Sequence, residues 1–277
     1  MQLMPRYDGP SVIDVSAFVA DPSVPVIRQR DRLAVALSQL SPEEWAAPSR
    51  CAGWSVQDVA EHLVTVNQFW VLSISAGIRD EPTRFLESFD PVTVPAALVE
   101  SARGEAAATT LEKLTVSNAE FRALLDSMSE RDWTKSAEAP PGHLAMEAVC
   151  AHALWDAWIH ERDVLLPLGR DQQIERDEVV TALVYAASLG PAFYLNTGGE
   201  SSGSLSVQAS DPDVEFTVDV SHQVKVRPGA GTDRTAVIKG DAVDLVESFS
   251  TRAPLPLLAE DHRWLVDGLQ QAFGAVG

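Results

Sequence analysis

The stretch HALWDAWIHERDV, residues 152–164, sets His152, Asp156 and His160 at four-residue intervals. On an α-helix such residues drift by only about 40° per step and lie along one stripe. Met146, Val149, Ala153 and Val164 share that stripe, so it faces an apolar interior. An unpaired carboxylate is costly there. An inward Asp one turn before an inward His therefore makes either a histidine–carboxylate hydrogen bond or part of a metal site, and the spacing alone does not choose. His62 adds weight to the metal. It lies mid-helix in VAEHLVTVNQFW with Val59, Val66 and Phe69 on its side, so it also looks inward. Two imidazoles and one carboxylate leave positions open on a metal, the pattern of a catalytic rather than a structural zinc. A paired CxxC, the mark of a structural zinc knuckle, is absent.

Other reactive residues carry less. Cys51 stands just before a helix whose N-terminus favours a thiolate, but no histidine lies near it in sequence, and the reading keeps it out of the site. Cys150 falls within an apolar helix and reads as core. The PGAG of residues 228–231 lacks the lysine and the following helix of a phosphate loop. Trp54, Trp70, Trp133, Trp155 and Trp158 read as packing residues, one of which could line a pocket.

The elements that must hold these residues are legible from punctuation. Up to about residue 195 the apolar positions recur at helical spacing. A first helix is expected over 23–40. Ser41, Pro42 and Glu44 then form a capping box that starts a short helix carrying Trp45. Ser55 and Asp58 cap the next helix, which runs to Ile78. Residues 93–128 form a long helical stretch with Gly104 as a kink or break. APPGH precedes a helix over 143–166 that Gly169 ends, and a further helix covers 175–189, before Gly190 and Pro191. Four long helices with modest loops imply a bundle, whose interior is where side chains from facing helices build a site.

After NTGGESSGS the pattern turns to period two in SLSVQAS, VEFTVDV, QVKVRPG and TAVIKG, which read as strands of an antiparallel meander. Helical patterns return in DAVDLVESFSTR and LLAEDHRWLVDGLQQAF. The expected fold is α+β: a four-helix bundle over 1–196 that carries the metal site, then a small α+β domain over 197–277 with an antiparallel sheet. The second domain is expected to fold back over the open end of the bundle and close the pocket.

The 277 residues are 45% hydrophobic and 22% charged, the composition of an ordinary globular protein. A net charge of -19 with no basic patch argues against a nucleic-acid partner. Two cysteines make no disulfide framework and fit a cytoplasmic setting. The N-terminus lacks the features of a secretory signal. No membrane span is expected, since the longest apolar runs are interrupted. The state expected is a monomer or homodimer acting on a small-molecule substrate.

LSPEEWAAPSRCAGWSVQDVAEHL, followed some ninety residues later by WDAWIHERDVLLPLG, resembles the mycothiol-dependent maleylpyruvate isomerase family, part of the DinB-like superfamily of metal-binding four-helix bundles. The specific element is the run C-x-G-W-x-V-x-D-x-x-x-H-L. IKGDAVDLVESFSTRAP is similar to the small C-terminal domain of the same family, so the likeness spans nearly the whole chain. It implies zinc held by His62, Asp156 and His160, with Asp156 where the family usually has Glu, and it implies mycothiol, the actinobacterial low-molecular-weight thiol, as cosubstrate. His152 matches no family ligand. The likeness further implies that Arg252 reaches the active site as a catalytic cation, although the family's usual Gly-Arg pair is Thr251-Arg252 here. Asp163 matches a recurrent family position, as a partner of the ligands. The expected activity is that of a mycothiol-dependent S-transferase or cis–trans isomerase acting on a small electrophilic or unsaturated substrate. The alternatives are a bundle reused for another reaction in a specialised, natural-product pathway, or a non-catalytic ligand-binding or regulatory protein.

Overall fold

A computed structural model describes residues 4–19, 21–231, 235–255 and 257–273. In chain order the elements are β1 (Ile13–Asp14), α1 (Ser23–Ser38), α2 (Pro42–Trp45), α3 (Val56–Ile78), α4 (Thr93–Ala102), α5 (Ala107–Ser127), β2 (Ser136–Ala139), β3 (Gly142–Ala145), α6 (Met146–Leu165) and α7 (Arg176–Asn196). There follow β4 (Gly203–Ser210), β5 (Val214–Val220), β6 (Val224–Pro228), β7 (Ala236–Asp241), α8 (Ala242–Phe249) and α9 (Trp264–Phe273). An N-terminal helical part followed by a C-terminal sheet with helices is the architecture expected from the pattern.

Helices α1, α3, α5 and α6 pack on one another, and α7 lies against α6. Both anticipated capping boxes form. Ser41 accepts from the Glu44 N–H while Glu44 reaches back, and Ser55 and Asp58 do the same at the start of α3. Each satisfies two N–H groups that a helix end otherwise leaves open. The stretch 93–128 is two helices, α4 and α5, parted at Gly104.

α6 is the central element, with all but three of its twenty residues buried. Several of its buried polar residues are paired. Glu161, wholly buried, accepts from Arg32 and from Gln29 and Gln172, and Arg32 also bridges to the buried Glu178 on α7. That network ties α1, α6 and α7 and fixes the rotation of α6. Removing one partner would strand a buried charge, at a cost of roughly 3–5 kcal/mol.

Three local expectations are revised. The stretch before α6 is not a plain stop but the hairpin β2–β3, so the helix begins at Met146 rather than 143. Gly142 has φ +124°, and a Cβ there would fall 2.0 Å from the Arg6 carbonyl oxygen, so only glycine lets the N-terminal segment lie against the hairpin. Gly190 and Pro191 do not end α7, which continues to Asn196. Burial over most of the helix against α6, α8 and α9 holds it through the missing N–H. α7 is also the one helix among the described residues long and apolar enough to cross a membrane, and 89% of that window is buried.

The third revision concerns the sheet, whose order is β1-β6-β5-β4-β7. β4, β5 and β6 form the expected antiparallel meander, but β7 pairs parallel to β4. The edge of β6 that a fourth meander strand would use is taken by β1, with Ile13 opposite Val224 and the Val224 N–H donating to the Val12 carbonyl at 2.8 Å. A segment within 1–196 thus joins the sheet built by 203–241. β7 leads directly into α8, capped by the Asp241 carboxylate, which accepts from Val243 and Asp244 N–H groups. α8 delivers the chain to the bundle.

Candidate metal centre and its surroundings

The site gathers around His160. Because α6 is buried on nearly every side, His160 meets neighbours at both ring nitrogens. Nε2 lies 3.7 Å from Asp156 Oδ1 one turn earlier, and Nδ1 lies 3.1 Å from Asp163 Oδ2 one turn later. His62 comes from α3, whose start at Ser55 places it two turns into the helix. Its ring centroid is 4.9 Å from that of His160, edge to face, and Trp54 packs on its other side at 5.3 Å. One ligand atom from each of His62, Asp156 and His160 lies within 4.8 Å of the others.

Two atoms in this group are orphans. His62 Nδ1 and Asp156 Oδ2 are enclosed without a hydrogen-bond partner, which costs roughly 1–3 kcal/mol for each such group unless something else satisfies it. The 3.7 Å between Asp156 and His160 is too long for a hydrogen bond. It is close to the ~3.3 Å that separates two ligand atoms bound at ~2.0 Å on one tetrahedral cation. Two imidazoles with one carboxylate suit zinc or another first-row divalent ion. The residues present fit such an ion.

Charge around the group is arranged by the helix and by two loops. Burial and the neighbouring His160 push His62 down to about 4, so it is a neutral nitrogen donor at physiological pH. His160 goes the other way. Burial alone would lower it, but the Cys51 sulfur and the Asp163 carboxylate outweigh burial and hold it well above its ordinary value. Asp163, buried yet hydrogen-bonded by His160 and Arg252, is held well below the usual carboxylate range.

Arg252 arrives from the end of α8. Its N–H donates to the Glu247 carbonyl and that of Thr251 donates to Ser248, the Schellman pattern of a helix C-terminus. The residue that this pattern needs in left-handed conformation is Thr251, with φ +60°, where glycine would be unstrained. So aimed, Arg252 donates from Nε to Asp163 Oδ1 at 3.0 Å and from Nη2 to Asp163 Oδ2 at 2.9 Å. Glu247 on α8 adds a second tie, accepting from Arg50 and from Arg162.

The sequence-based site residues fall as follows. His62, Asp156 and His160 are brought together, with Arg252 on the far side of His160. His152 is not part of this group: its Nδ1 lies 2.7 Å from the Tyr185 hydroxyl, among Trp70 and Trp155. The residue that sequence reasoning set aside is Cys51. Its sulfur is 3.3 Å from Asp163 Oδ2, 3.6 Å from His160 Nδ1 and 3.7 Å from Arg252 Nη2. Cys51, His160 and Asp163 form a second group with ligand spacing. The loop that carries Cys51 is anchored by the Arg50 N–H on the Asp163 carbonyl, with Gly53 at φ +77° turning it back into α3. The histidine partner is 109 positions away in sequence, which is why proximity in the chain gave no signal.

Residues 26–165 match the model of the mycothiol maleylpyruvate isomerase N-terminal domain. A comparison with curated proteins gives no match. Among solved structures, that of the mycothiol-dependent maleylpyruvate isomerase superposes with a TM-score of 0.60 at 14% identity, covering 85% of this chain and 90% of that one. A histidine-to-alanine mutant of it superposes with the same score and coverage at 13% identity. At such identity the structures show a shared fold; the domain model, which spans just over half of the chain, shows descent. With a helical part matched from Val26 to Leu165 and a fold shared over most of its length, this chain belongs to the mycothiol maleylpyruvate isomerase family.

Proposed function

We propose that the protein is a divalent-metal-dependent, mycothiol-using enzyme, an isomerase or an S-transferase, acting on a small unsaturated or electrophilic substrate. The observation that carries this reading is the convergence of His62, Asp156 and His160, with His62 Nδ1 and Asp156 Oδ2 enclosed and unpartnered. The unit 1–196 holds the metal in this reading, and 197–277 supplies Arg252. Bound there, zinc or a similar ion would act as a Lewis acid with a position open to a thiol sulfur, lowering the proton affinity of that sulfur.

The chain's own residues do the rest. Asp156 keeps 17% of its side chain accessible while His160 is buried, so the carboxylate is the more open edge of the group. Trp54 and the aliphatic residues of the adjoining cluster, among them Leu63 and Val164, keep the other sides dry. Arg252 brings a permanent cation. In an isomerase the thiol adds to an activated double bond, the substrate rotates about the resulting single bond, and the thiol leaves; a cation is needed for the carboxylate and the developing enolate. A transferase needs only a positioned electrophile. One edge of Arg252, Nε with Nη2, is committed to Asp163, and this engagement favours transfer as the second reading.

Elemental analysis of the purified, untagged protein tests the metal. About one divalent ion per chain is expected, lost in His62→Ala and in His160→Ala and kept in His152→Ala. Less than a tenth of an equivalent after zinc is supplied would overturn the reading.

A further inference from the structure

We infer that His152 and Trp70 form an oxyanion site for a substrate whose double bond is conjugated to a carbonyl group. The inference rests on the thiol chemistry proposed for the neighbouring metal centre. His152 stands one turn before Asp156 on α6, and its Nδ1 lies 2.7 Å from the Tyr185 hydroxyl. Tyr185 is wholly buried, and among the described residues that nitrogen is the one partner of its hydroxyl. A buried phenol donates its proton where a lone pair is in reach, so Nδ1 accepts. Burial keeps the imidazole neutral at physiological pH. A neutral ring that accepts at Nδ1 carries its hydrogen on Nε2. That hydrogen has no acceptor among the described residues.

A second donor stands beside it. Trp70 of α3 packs on the His152 ring with 5.2 Å between centroids, and its Nε1 hydrogen is enclosed and unpartnered. A buried donor left unmet is costly, and an acceptor brought to it is favoured. Both donors belong to the seam that holds the metal centre: His62 meets His160, while Trp70, eight residues on, meets His152, eight residues back. Asp156 lies between, about 6 Å from His152 along the helix axis. A short chain of atoms leading from a sulfur at the metal end spans that distance. Two neutral donors suit an oxygen that gains negative charge during the reaction. When the thiolate adds, sulfur bonds to the carbon β to the carbonyl and the π pair moves onto the carbonyl oxygen, which takes both hydrogen bonds. After rotation the pair returns, the double bond reforms and the thiolate leaves, so no proton, oxidant or reductant is consumed. Arg252, on the other side of His160 with one edge on Asp163, is thereby left to a substrate carboxylate.

The test uses the zinc-loaded chain with mycothiol and, as probe, maleylpyruvate, a cis-enone acid. His152→Leu fills the space without a donor and is expected to lower kcat about 10²- to 10³-fold, the usual effect of losing one oxyanion donor, with zinc retained. Binding of the probe without thiol, read from tryptophan fluorescence, should change less than about threefold, because the oxygen gains its charge only during addition. His152→Gln can accept from Tyr185 and still donate, and should restore kcat to within about tenfold of wild type. Trp70→Phe deletes the second N–H and should lower kcat at least about tenfold; it decides alone if His152→Leu does not fold. Values of kcat within about threefold of wild type in both variants, no recovery in His152→Gln, or probe binding that falls in step with kcat would overturn the proposal and leave His152 a packing residue. A wild type that holds zinc and mycothiol but does not convert the probe would overturn this proposal alone; one that holds no zinc would overturn the reading it rests on as well.

Discussion

His152 gives the sharpest link between a buried group and a bulk measurement. Burial among Trp70, Trp155 and Tyr185 pushes its imidazole from an ordinary 6.5 down to about 4, against a small opposing pull from Asp156. The folded chain therefore refuses a proton that the unfolded chain accepts below pH 6.5. Stability contributed by the neutral, Tyr185-bonded imidazole is complete above that pH and is lost as the pH falls toward 4. The slope in that window is about 1.4 kcal/mol per pH unit for one proton, or about 3 kcal/mol in all. A cation on Asp156 would remove the group that opposes burial, so the slope stands with or without metal. His152→Gln removes the titration while keeping a polar partner for Tyr185. Urea unfolding followed by circular dichroism at pH 7.0, 5.5 and 4.5 should find the variant less stable than wild type at pH 7.0, by about 1–2 kcal/mol for the altered buried contact. The gap should close or reverse by pH 4.5. Parallel pH dependences in the two proteins would refute the assignment of a depressed, buried imidazole.

Two further outcomes follow from the same region. Thr251→Gly removes a left-handed β-branched residue from the cap of α8 and should raise stability by up to about 1 kcal/mol, measured by thermal melting; a lower melting temperature would contradict the strain. Cys51 is partly exposed whereas Cys150 is wholly buried with its thiol pushed up by burial, so an alkylating reagent should label Cys51 alone in the native chain and both in urea. Native labelling of Cys150, followed by peptide mass, would count against the packing of α6.

Much of this was legible from residues alone, for local reasons. Capping boxes are short-range devices, so Ser41 with Glu44 and Ser55 with Asp58 announce their helices wherever the rest of the chain goes. The period-two runs name β4 to β7 because alternation survives any pairing. What the sequence hides is long-range. β1 is two residues that become a strand only because β6 has an open edge, and their capture of it sends β7 to pair with β4. Pro191 looks like a stop because its missing N–H is local, while the burial that carries α7 past it comes from three other helices. The same divide runs through the site. His62, Asp156 and His160 can be read as inward because each lies on a helix whose apolar stripe is visible. Cys51 sits in a loop, where no period shows direction, and its neighbours come from α6 and from the end of α8. Arg50 and Arg162 meet Glu247 only once α8 is folded onto the bundle.

A low-molecular-weight thiol is expected to bind at a metal held by His62, Asp156 and His160. Calorimetric titration of mycothiol into the zinc-loaded protein, with His160→Ala beside it, reads this binding. Saturable, near-stoichiometric binding is expected for the wild type and none for the variant. Absence of binding to a wild-type protein shown to carry its metal, or equal binding to both proteins, would contradict it.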